Sequence, residues 1–405
     1  MGLIFENDLH DEFGTWPIAY IPFGGPDFGE IRAIGRTVGS GDDSAFYEAW
    51  VAAGDRVAAE AAMAEDRGHK SSARDLFLRA SAFYGASYHL LYGAPVDPRL
   101  VTAFRKQVEV FDRGLKLFDP PIVPMRIPFE DTSLPAYFIP AFGRAREIRP
   151  TLVLTNGYDA TITDMYFGSA VAALRRGYHC LLFDGPGQGE LLFVQGLHLR
   201  PDWETVVRAV LDVAVTIATV DPARIALSGW SLGGYLAPRA ASDEPRLAAC
   251  IADPGLWGIA DPYRAYVAKL GVTAQAATNL GDLDQPILDR MMQAISSEPE
   301  MRWKIIQRGF WVHGVDNLCD YLRSAEQFTM TGRAEAIACP TLLTMAENDV
   351  LAARAQTFFE KLCCPKKALV RFSAAEGADG HCEMGNRSLL NRRVLDWLDD
   401  TLRII

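Results

Sequence analysis

The sequence places a serine between two glycines at the spacing of a catalytic nucleophile. A strand-forming segment at residues 224–228 runs into Gly-Trp-Ser-Leu-Gly at residues 229–233, and a helical pattern follows. At such a junction the serine occupies a strained, tight turn and projects above the sheet, and Gly229 and Gly233 avoid clashes that side chains would create. We therefore predict that Ser231 is a nucleophile. A structural Gly-Ser turn is the alternative.

A serine hydroxyl is a poor nucleophile near pH 7 and needs a base that a third group orients. Where this kind of turn carries catalysis, the acid and then the histidine follow the serine along the chain. Of the seven histidines, only His313 and His381 follow Ser231. His313 precedes the last two predicted strands, which is typical of a lid or core residue. His381 lies between the last predicted strand and the final helix, so we predict that it is the base.

The acid should leave the strand that precedes the last one, at residues 340–345. Glu347 and Asp349 follow this strand. Asp349 is favoured because it comes just before the next helix, in the loop that faces the histidine, and Glu347 is the alternative. Asp379 is closer to His381 in sequence, but adjacency does not aim a carboxylate at the imidazole, so a turn-forming role is expected for it.

Negative charge that develops on a substrate oxygen needs two preorganised hydrogen-bond donors. The backbone N–H of Leu232, directly after the nucleophile, is one candidate. The loop at residues 155–160 follows the first long core strand, and Gly157 lets the chain turn sharply there. We predict that the N–H of Tyr158 faces the site as the second donor. An ordinary polar turn is the alternative for this loop.

A second glycine-rich run, Phe-Asp-Gly-Pro-Gly-Gln-Gly-Glu, occupies residues 183–190. Its spacing differs from that of a dinucleotide fingerprint, and no phosphate-binding pattern follows. The run therefore predicts a tight loop beside the mouth of the active site.

Aromatic and acidic side chains in or near the region before the last two strands are candidates for a substrate pocket. An apolar acyl or aromatic group could bind among them. An ordinary role in the core of the inserted helices is the alternative for the aromatic residues. The candidates are Asp159, Asp253, Trp257, Trp303, Phe310 and Trp311.

The elements that must position these residues change in type near residues 120–150. Apolar side chains recur at three- and four-residue intervals over residues 27–118, which predicts three or four helices. After residue 121 short apolar strands alternate with helices, which predicts an α/β fold with a mainly parallel sheet and helices on both faces. The predicted strands cover residues 122–128, 136–140, 150–155, 179–183, 224–228, 248–252, 340–345 and 368–372.

This change in pattern predicts two domains. Residues 1–120 would form an N-terminal helical, cap-like domain, and residues 121–405 a catalytic domain. Extra helices at about residues 257–330 interrupt the alternation of strands and helices. We expect this insertion to lie over the edge of the sheet where the strands have their carboxyl ends, because open α/β folds bind ligands there.

Composition and charge exclude several classes of function. The chain has 51 acidic and 40 basic residues and a net charge of −11, which repels phosphate backbones and argues against nucleic acid as a partner. The seven cysteines are scattered without a CxxC pair or clustering with histidine, so reduced thiols are expected and a zinc site is not. No basic segment followed by an apolar stretch marks a secretion signal, and Asp212 interrupts the longest apolar stretch. We expect a cytoplasmic protein without a membrane span.

The motifs together resemble those of α/β-hydrolases with an N-terminal helical domain. This group includes 2,6-dihydroxypseudooxynicotine hydrolase, the fungal polyketide-shortening hydrolases of pigment synthesis and the fermentation-respiration switch esterase-like proteins. The similarity covers nearly all of residues 150–402, and the runs at 183–190 and 244–251 are its more specific parts. The motifs that carry it are Asn156-Gly-Tyr-Asp, Phe183-Asp-Gly-Pro-Gly-Gln-Gly-Glu190, Gly229-Trp-Ser-Leu-Gly-Gly, Glu244-Pro-Arg-Leu-Ala-Ala-Cys-Ile251, Asp349 and Gly380-His-Cys.

The resemblance implies the α/β-hydrolase fold, with a triad of Ser231, Asp349 and His381. It also implies an oxyanion hole near Tyr158 and Leu232, and a substrate cavity between the helical domain and the hydrolase core. Members of the group cleave either an ester-type acyl bond or a C–C bond next to a ketone.

The sequence departs from one member at an acidic position. The pseudooxynicotine hydrolase has an extra acidic residue after the strand that follows the serine, and here only Asp253 or Asp261 could substitute for it. Because C–C cleavage must protonate a carbanion-like leaving group, a missing acid would favour ester substrates.

We therefore expect a serine hydrolase that acts on a small hydrophobic or aromatic substrate without a metal or organic cofactor. Two other classes stay open: a catalytically silent binding protein on the same scaffold, and an acyltransferase that passes the acyl group to an alcohol or amine. Silent relatives usually lack a triad member, and none is missing here. A homodimer is possible.

Overall fold

The computed structural model describes residues 2–275 and 277–403. A single sheet of eight strands runs through its centre. The strands are β1 (Met125–Phe129), β2 (Thr132–Ile139), β3 (Arg149–Thr155), β4 (His179–Phe183), β5 (Val220–Trp230), β6 (Ala249–Asp253), β7 (Thr341–Ala346) and β8 (Lys367–Phe372).

The strands lie in the order β1-β2-β4-β3-β5-β6-β7-β8. β1 pairs with β2 and β2 with β4 in antiparallel fashion. The other six strands, β3 to β8, are mutually parallel. The predicted mainly parallel α/β sheet is confirmed, and each predicted strand overlaps an observed one. β4 and β6 are buried along their whole length, as expected of strands covered on both faces.

The parallel arrangement determines where a site can form. The carboxyl ends of β3, β5, β6, β7 and β8 meet at one edge of the sheet. The loops that carry the candidate catalytic and oxyanion residues all follow these strands. Side chains far apart in the chain are thereby brought to one edge.

Five helices precede the sheet: α1 (Asp8–Thr15), α2 (Phe28–Val38), α3 (Asp43–Asp66), α4 (Lys70–Ser87) and α5 (Pro98–Lys116). Four of them fall within residues 27–118, as predicted, and α1 was not predicted. Asp42 caps α3 by accepting the N–H of Ala45, and Asp97 caps α5 by accepting that of Arg99. These caps satisfy N–H groups that have no partner within the helix.

The remaining helices are α6 (Ile162–Met165), α7 (Val171–Arg175), α8 (Gly189–Phe193), α9 (Trp203–Ala214), α10 (Gly233–Ala241), α11 (Asp261–Lys269), α12 (Gln285–Ser297), α13 (Pro299–Met301), α14 (Phe310–His313), α15 (Leu318–Glu326), α16 (Ala355–Lys361) and α17 (Arg387–Leu402). Helices α11 to α15 lie between β6 and β7 in the chain, where the insertion was predicted. The insertion also contains a π-helical segment, Arg302–Gly309. A second one, Tyr166–Ala170, joins α6 to α7.

Apolar side chains of the N-terminal helices and of the sheet region share one core. Trp50 of α3, Phe83 of α4, Trp203 of α9 and Leu343 of β7 belong to a single buried cluster. The inserted helices have a smaller cluster of their own, which includes Phe310. The division into two domains near residue 120 stays a prediction.

Two features bear on the environment of the protein. Within the described ranges, no helix is both long and apolar enough to cross a membrane. The seven cysteines are free. The cytoplasmic location and the possible homodimer stay predictions.

Candidate active site

Ser231 lies in a sharp turn between β5, which ends at Trp230, and α10, which begins at Gly233. Its φ of 58° lies in the left-handed region that residues with side chains rarely adopt. A Cβ on Gly229 would lie 2.1 Å from the carbonyl oxygen of Gly233, and one on Gly233 would lie 2.8 Å from that of Thr155. Both glycines are therefore needed for the close approach of these backbones, as the sequence indicated.

Three side chains form a continuous hydrogen-bonded chain at this turn. Nε2 of His381 lies 2.9 Å from Oγ of Ser231, and Nδ1 of His381 lies 2.8 Å from Oδ2 of Asp349. The carboxylate of Asp349 is almost fully buried, whereas 39% of the His381 side chain is accessible. The structure thus brings the three predicted residues together with a geometry suited to proton transfer.

The alternative acids lie elsewhere. Glu347 is exposed and accepts the backbone N–H of Ala374 at 3.0 Å. Asp379 accepts a hydrogen bond from the side chain of Asn348 at 2.7 Å. Of the three candidates, Asp349 is the carboxylate that contacts the imidazole.

The pKa of His381 results from opposing influences. Desolvation of the ring by the surrounding protein, the largest of them, lowers it. The hydrogen bond to Asp349 and the negative charges of Asp349 and Asp253 raise the pKa, whereas the positive charge of Lys304 lowers it. The net result is a pKa above the ordinary value of 6.5. The imidazole therefore binds a proton more tightly than a free histidine does, which suits a base whose charged form a carboxylate stabilises.

The turn that follows His381 is strained and touches Ser231. Cys382 and Glu383 have φ values of 53° and 47°. The backbone N–H of Ser231 donates to Sγ of Cys382 at 3.1 Å, and the same sulfur lies 3.4 Å from Nε2 of His381. Two successive non-glycine residues in the left-handed region persist only where their surroundings hold them.

A buried ion pair holds that turn. Nη1 of Arg387 donates to Asp253 at 2.9 Å and to the carbonyl oxygen of Cys382 at 2.7 Å, and Thr344 donates to Asp253 at 2.9 Å. Glu383 is also buried, and burial together with the nearby charge of Asp253 raises its pKa well above 4.5. Asp253 is paired with Arg387, so the Glu383 carboxyl has no cation of its own in this network. Sequence reasoning missed Arg387 and Glu383, because no local pattern joins β6, β7 and α17.

The loop after β3 lies against Ser231. A Cβ on Gly157 would lie 2.7 Å from the backbone nitrogen of Leu232 and 3.1 Å from Oγ of Ser231. Within the described part of the chain, the N–H groups of Leu232 and Tyr158 donate to no acceptor. Both N–H groups predicted as oxyanion donors are therefore free to bind a substrate oxygen, and the missing side chain of Gly157 leaves space beside the N–H of Leu232.

One predicted pocket residue, Asp159, lies on this loop, and another, Trp303, contacts the arginine that pairs with Asp159. Asp159 accepts a hydrogen bond from Nη1 of Arg308 at 2.6 Å, and the guanidinium carbon lies 5.3 Å from the ring centre of Trp303 and 4.6 Å from that of Tyr158. The atoms Oδ1 of Asp159, Nε of Arg308 and Nε1 of Trp303 are buried without a hydrogen-bond partner among the described residues. Arg308 had no signal in the sequence, because its partner lies on a loop about 150 residues earlier.

The other predicted pocket residues are buried: Asp253 lies in the ion pair with Arg387, and the three aromatic residues lie in aromatic clusters. Trp257 packs edge-on against Phe358. Phe310 belongs to the core of the inserted helices, and Trp311 stacks on Phe193. Their contribution to a substrate pocket stays a prediction.

His313 lies in the core of the insertion, as its sequence position indicated. Its Nε2 is 2.6 Å from the hydroxyl of Tyr158, and its Nδ1 is 2.7 Å from that of Ser324. Burial and the charge of Arg308 lower its pKa to about 3, so the imidazole is neutral at ordinary pH. Its contact with Tyr158 joins the insertion to the loop after β3.

The N-terminal helical region also reaches this loop. Nε2 of His89 and the hydroxyl of Tyr92 contact the carbonyl oxygen of Asp159 at 3.2 and 3.0 Å. Lys304 of the insertion pairs with Glu12 of α1 at 3.0 Å. The N-terminal helices, the insertion and the sheet edge therefore meet beside the candidate oxyanion donors.

Comparison with known proteins identifies the family. Residues 152–386 match the family described as the alpha/beta hydrolase family. The chain is 33% identical to 20-hydroxy-prefusarin hydrolase FUS2 of Gibberella moniliformis, across 100% of this chain and 99% of that protein. It is 32% identical to hydrolase acrC of Aspergillus aculeatus, across 96% of this chain and 95% of that protein. The chain belongs to the α/β-hydrolase family.

Solved structures agree with this assignment at the level of the fold. The α/β-hydrolase described here superposes on 2,6-dihydroxy-pseudo-oxynicotine hydrolase with a TM-score of 0.74 and 21% identity, over 95% of each chain. It superposes on AbyA5 with a TM-score of 0.64 and 17% identity, over 98% of this chain and 99% of the other. The family resemblance and the α/β-hydrolase fold predicted from the sequence are confirmed, and the protein is an enzyme.

Proposed function

We propose that this enzyme is a serine hydrolase that cleaves an acyl bond of a small hydrophobic or aromatic molecule through Ser231, His381 and Asp349. The observation that carries the proposal is the continuous chain of hydrogen bonds from Asp349 through His381 to the hydroxyl of Ser231. Such a chain activates a hydroxyl that would otherwise be a weak nucleophile.

The reaction has two halves. In the first, Oγ of Ser231 bonds to the acyl carbon while Nε2 of His381 takes the hydroxyl proton, and Asp349 stabilises the imidazolium. The negative charge on the substrate oxygen is stabilised by the N–H groups of Leu232 and Tyr158. The bond to the leaving group then breaks, and His381 protonates that group.

In the second half, water attacks the acyl-enzyme. His381 takes a proton from the water and returns it to Oγ of Ser231 as the acyl–oxygen bond breaks. The products are a carboxylic acid, the protonated leaving group and the free enzyme.

Of the two bond types, the structure favours an ester-type substrate. A C–C cleavage must protonate a carbon leaving group and gains from an additional acid. Asp253 is engaged by Arg387 and Thr344, and Asp261 pairs with Arg354 at 3.0 Å. Since neither carboxyl is free to donate a proton, cleavage next to a ketone is the second candidate.

The relatives support a small organic substrate. The two relatives described above are fungal proteins that are named hydrolases, and the name of one specifies 20-hydroxy-prefusarin. The aromatic residues around the loop after β3 are suited to an apolar or aromatic acyl group.

A fluorophosphonate probe tests the nucleophile directly. We expect it to label the wild-type enzyme but not Ser231→Ala, and we expect the same substitution to reduce kcat by several orders of magnitude. Ser228→Ala, three residues earlier on β5, is the matched control and should be labelled like the wild type. Equal labelling of Ser231→Ala would refute the assignment and favour a binding protein.

A substrate panel separates the remaining alternatives. Aryl esters and aryl β-diketones, assayed in parallel with purified enzyme, distinguish ester from C–C cleavage. Adding an alcohol or amine acceptor to the same assay and analysing the products distinguishes acyl transfer from hydrolysis. Faster turnover of the esters, with carboxylic acid as the main product, is the expected result.

A further inference from the structure

The glycine-rich loop that follows β4 packs directly on the loop that follows β3. Its residue Gln188 is 1% accessible. Nε2 of Gln188 donates to the carbonyl oxygens of Asn156 at 2.8 Å and of Gly157 at 3.1 Å. Oε1 of Gln188 accepts a hydrogen bond from the backbone N–H of Gly185 at 2.9 Å. This contact fixes the orientation of the side-chain amide, so that its NH₂ group faces the two carbonyl oxygens.

These contacts orient two N–H groups. In a trans peptide, the C=O of one residue and the N–H of the next point in opposite directions. The cis peptide bonds of the described chain all precede prolines, so the two peptides that Gln188 holds are trans. The N–H groups of Gly157 and Tyr158 therefore point away from Gln188.

Gly157 also lies against the nucleophile, next to the backbone nitrogen of Leu232. We propose that Gln188 is a positioning residue that aims the N–H of Tyr158 at the oxyanion of the transition state. The proposal rests on the proposed function, because an oxyanion forms only if Ser231 attacks an acyl carbon. Gln188 acts through the backbone of the neighbouring loop and does not itself contact the substrate.

The rest of the loop is shaped to keep Gln188 in place. Gly187 and Gly189, on either side of it, have φ values of 84° and 43°. A Cβ on Gly189 would lie 2.1 Å from Oδ2 of Asp184, and Oδ1 of the same carboxyl accepts the side-chain N–H of Asn156 at 2.6 Å. The two loops are therefore joined at a second point, and the glycines serve backbone geometry here rather than phosphate binding.

Two variants of Gln188 test the proposal. Gln188→Met keeps the length of the side chain and removes both donors, and Gln188→Glu keeps the shape but offers at most one donor when protonated. A misdirected N–H weakens binding of the transition state more than binding of the substrate. With an aryl ester, we expect kcat to fall about 10- to 100-fold in Gln188→Met and less in Gln188→Glu, with KM changed less than about 3-fold.

The rate of fluorophosphonate labelling should fall in parallel, because the phosphoryl oxygen of the probe occupies the same hole. Asn391→Asp is the control, since it removes another buried amide that donates to a carbonyl, that of Gly168 at 2.9 Å. It should stay within about 3-fold of the wild type in kcat and in labelling rate.

The outcomes distinguish this proposal from the proposed function. A wild-type enzyme that the probe does not label overturns the proposed function. Labelled wild type with unchanged kinetics in both Gln188 variants overturns the role of Gln188, and so does an equal loss in Asn391→Asp. If Gln188→Met does not fold, the kcat and KM of Gln188→Glu decide.

Discussion

At the scale of single residues, we expect the protonation of His381 to link its surroundings to activity. Asp349 and Asp253 raise the pKa of this imidazole above 6.5, although desolvation of the ring opposes them. A general base works only in its neutral form, so a raised pKa moves the loss of activity on the acid side to a higher pH. We expect kcat/KM for an aryl ester to fall with a midpoint above pH 6.5.

Asp349→Asn checks the cause of this midpoint. Removing the negative charge should move the midpoint to lower pH and reduce kcat on the order of 10⁴-fold, because the imidazolium loses its stabilising partner. A wild-type midpoint at or below 6.5, or one that the substitution leaves unchanged, would contradict the assigned interaction.

Asp184, in the same glycine-rich loop, should make the stability of the fold depend on pH. Burial, with the charges of Asp164 and Glu190, raises its pKa from 3.8 to about 8, although the hydrogen bond from Asn156 opposes this shift. The folded state therefore holds a proton that the unfolded chain releases between these pH values, and the free energy of unfolding falls as the pH rises through that window.

We expect Asp184→Asn to remove this loss. In urea unfolding, the variant should resemble the wild type near pH 4 and exceed its stability by about 2–4 kcal/mol at pH 7.5. Asp243→Asn, at an exposed carboxylate paired with Arg208, is the control and should change little. Parallel pH profiles for Asp184→Asn and the wild type would show that the Asp184 carboxyl is not protonated in the fold.

At the scale of elements, one ion pair ties the insertion to the loop after β3. The Asp159 and Arg308 side chains keep only 11% and 14% of their surfaces accessible. Removing one partner of a buried pair leaves the other charge uncompensated, so Arg308→Met should cost about 3 kcal/mol in unfolding free energy. The double variant with Asp159→Asn should recover part of this loss, as a double-mutant cycle would measure. Strictly additive losses would mean that the pair does not couple the two elements.

The same scale shows where periodicity sufficed as a guide and where it did not. The patterns of apolar residues predicted α2 to α5 and all eight strands, because each of these elements buries one regular face or both. Residues 162–175 form α6, a π-helical segment and α7 instead of one continuous helix. In this segment the carbonyl oxygen of Gly168 accepts hydrogen bonds from the side chains of Arg387 and Asn391. Donors from outside a helix that bond to its carbonyl groups accompany breaks in its regular series of backbone hydrogen bonds. Such a break depends on α17, more than 200 residues later.

At the scale of the whole molecule, the N-terminal helices and the sheet region bury one another. Trp50, Phe83 and Trp203 share a single core cluster. A chain that begins at residue 121 would expose the apolar surface that these helices cover. We expect it to aggregate or to unfold without a cooperative transition by circular dichroism, whereas a soluble, cooperatively folded product would establish the sheet region as an independent domain.

The sequence by itself determined the kind of chemistry and the kind of fold. The glycines around Ser231 and the alternation of strands and helices are local signals, because each reflects the backbone needs of a few neighbouring residues. The order of serine, acid and histidine can be read directly along the chain. Tertiary structure decided which acid contacts His381, how Arg308 meets Asp159, and that Gln188 holds the loop beside Ser231. These contacts join loops at separate strand ends with one another and with the inserted helices, and only the tertiary arrangement of strands and helices brings them together.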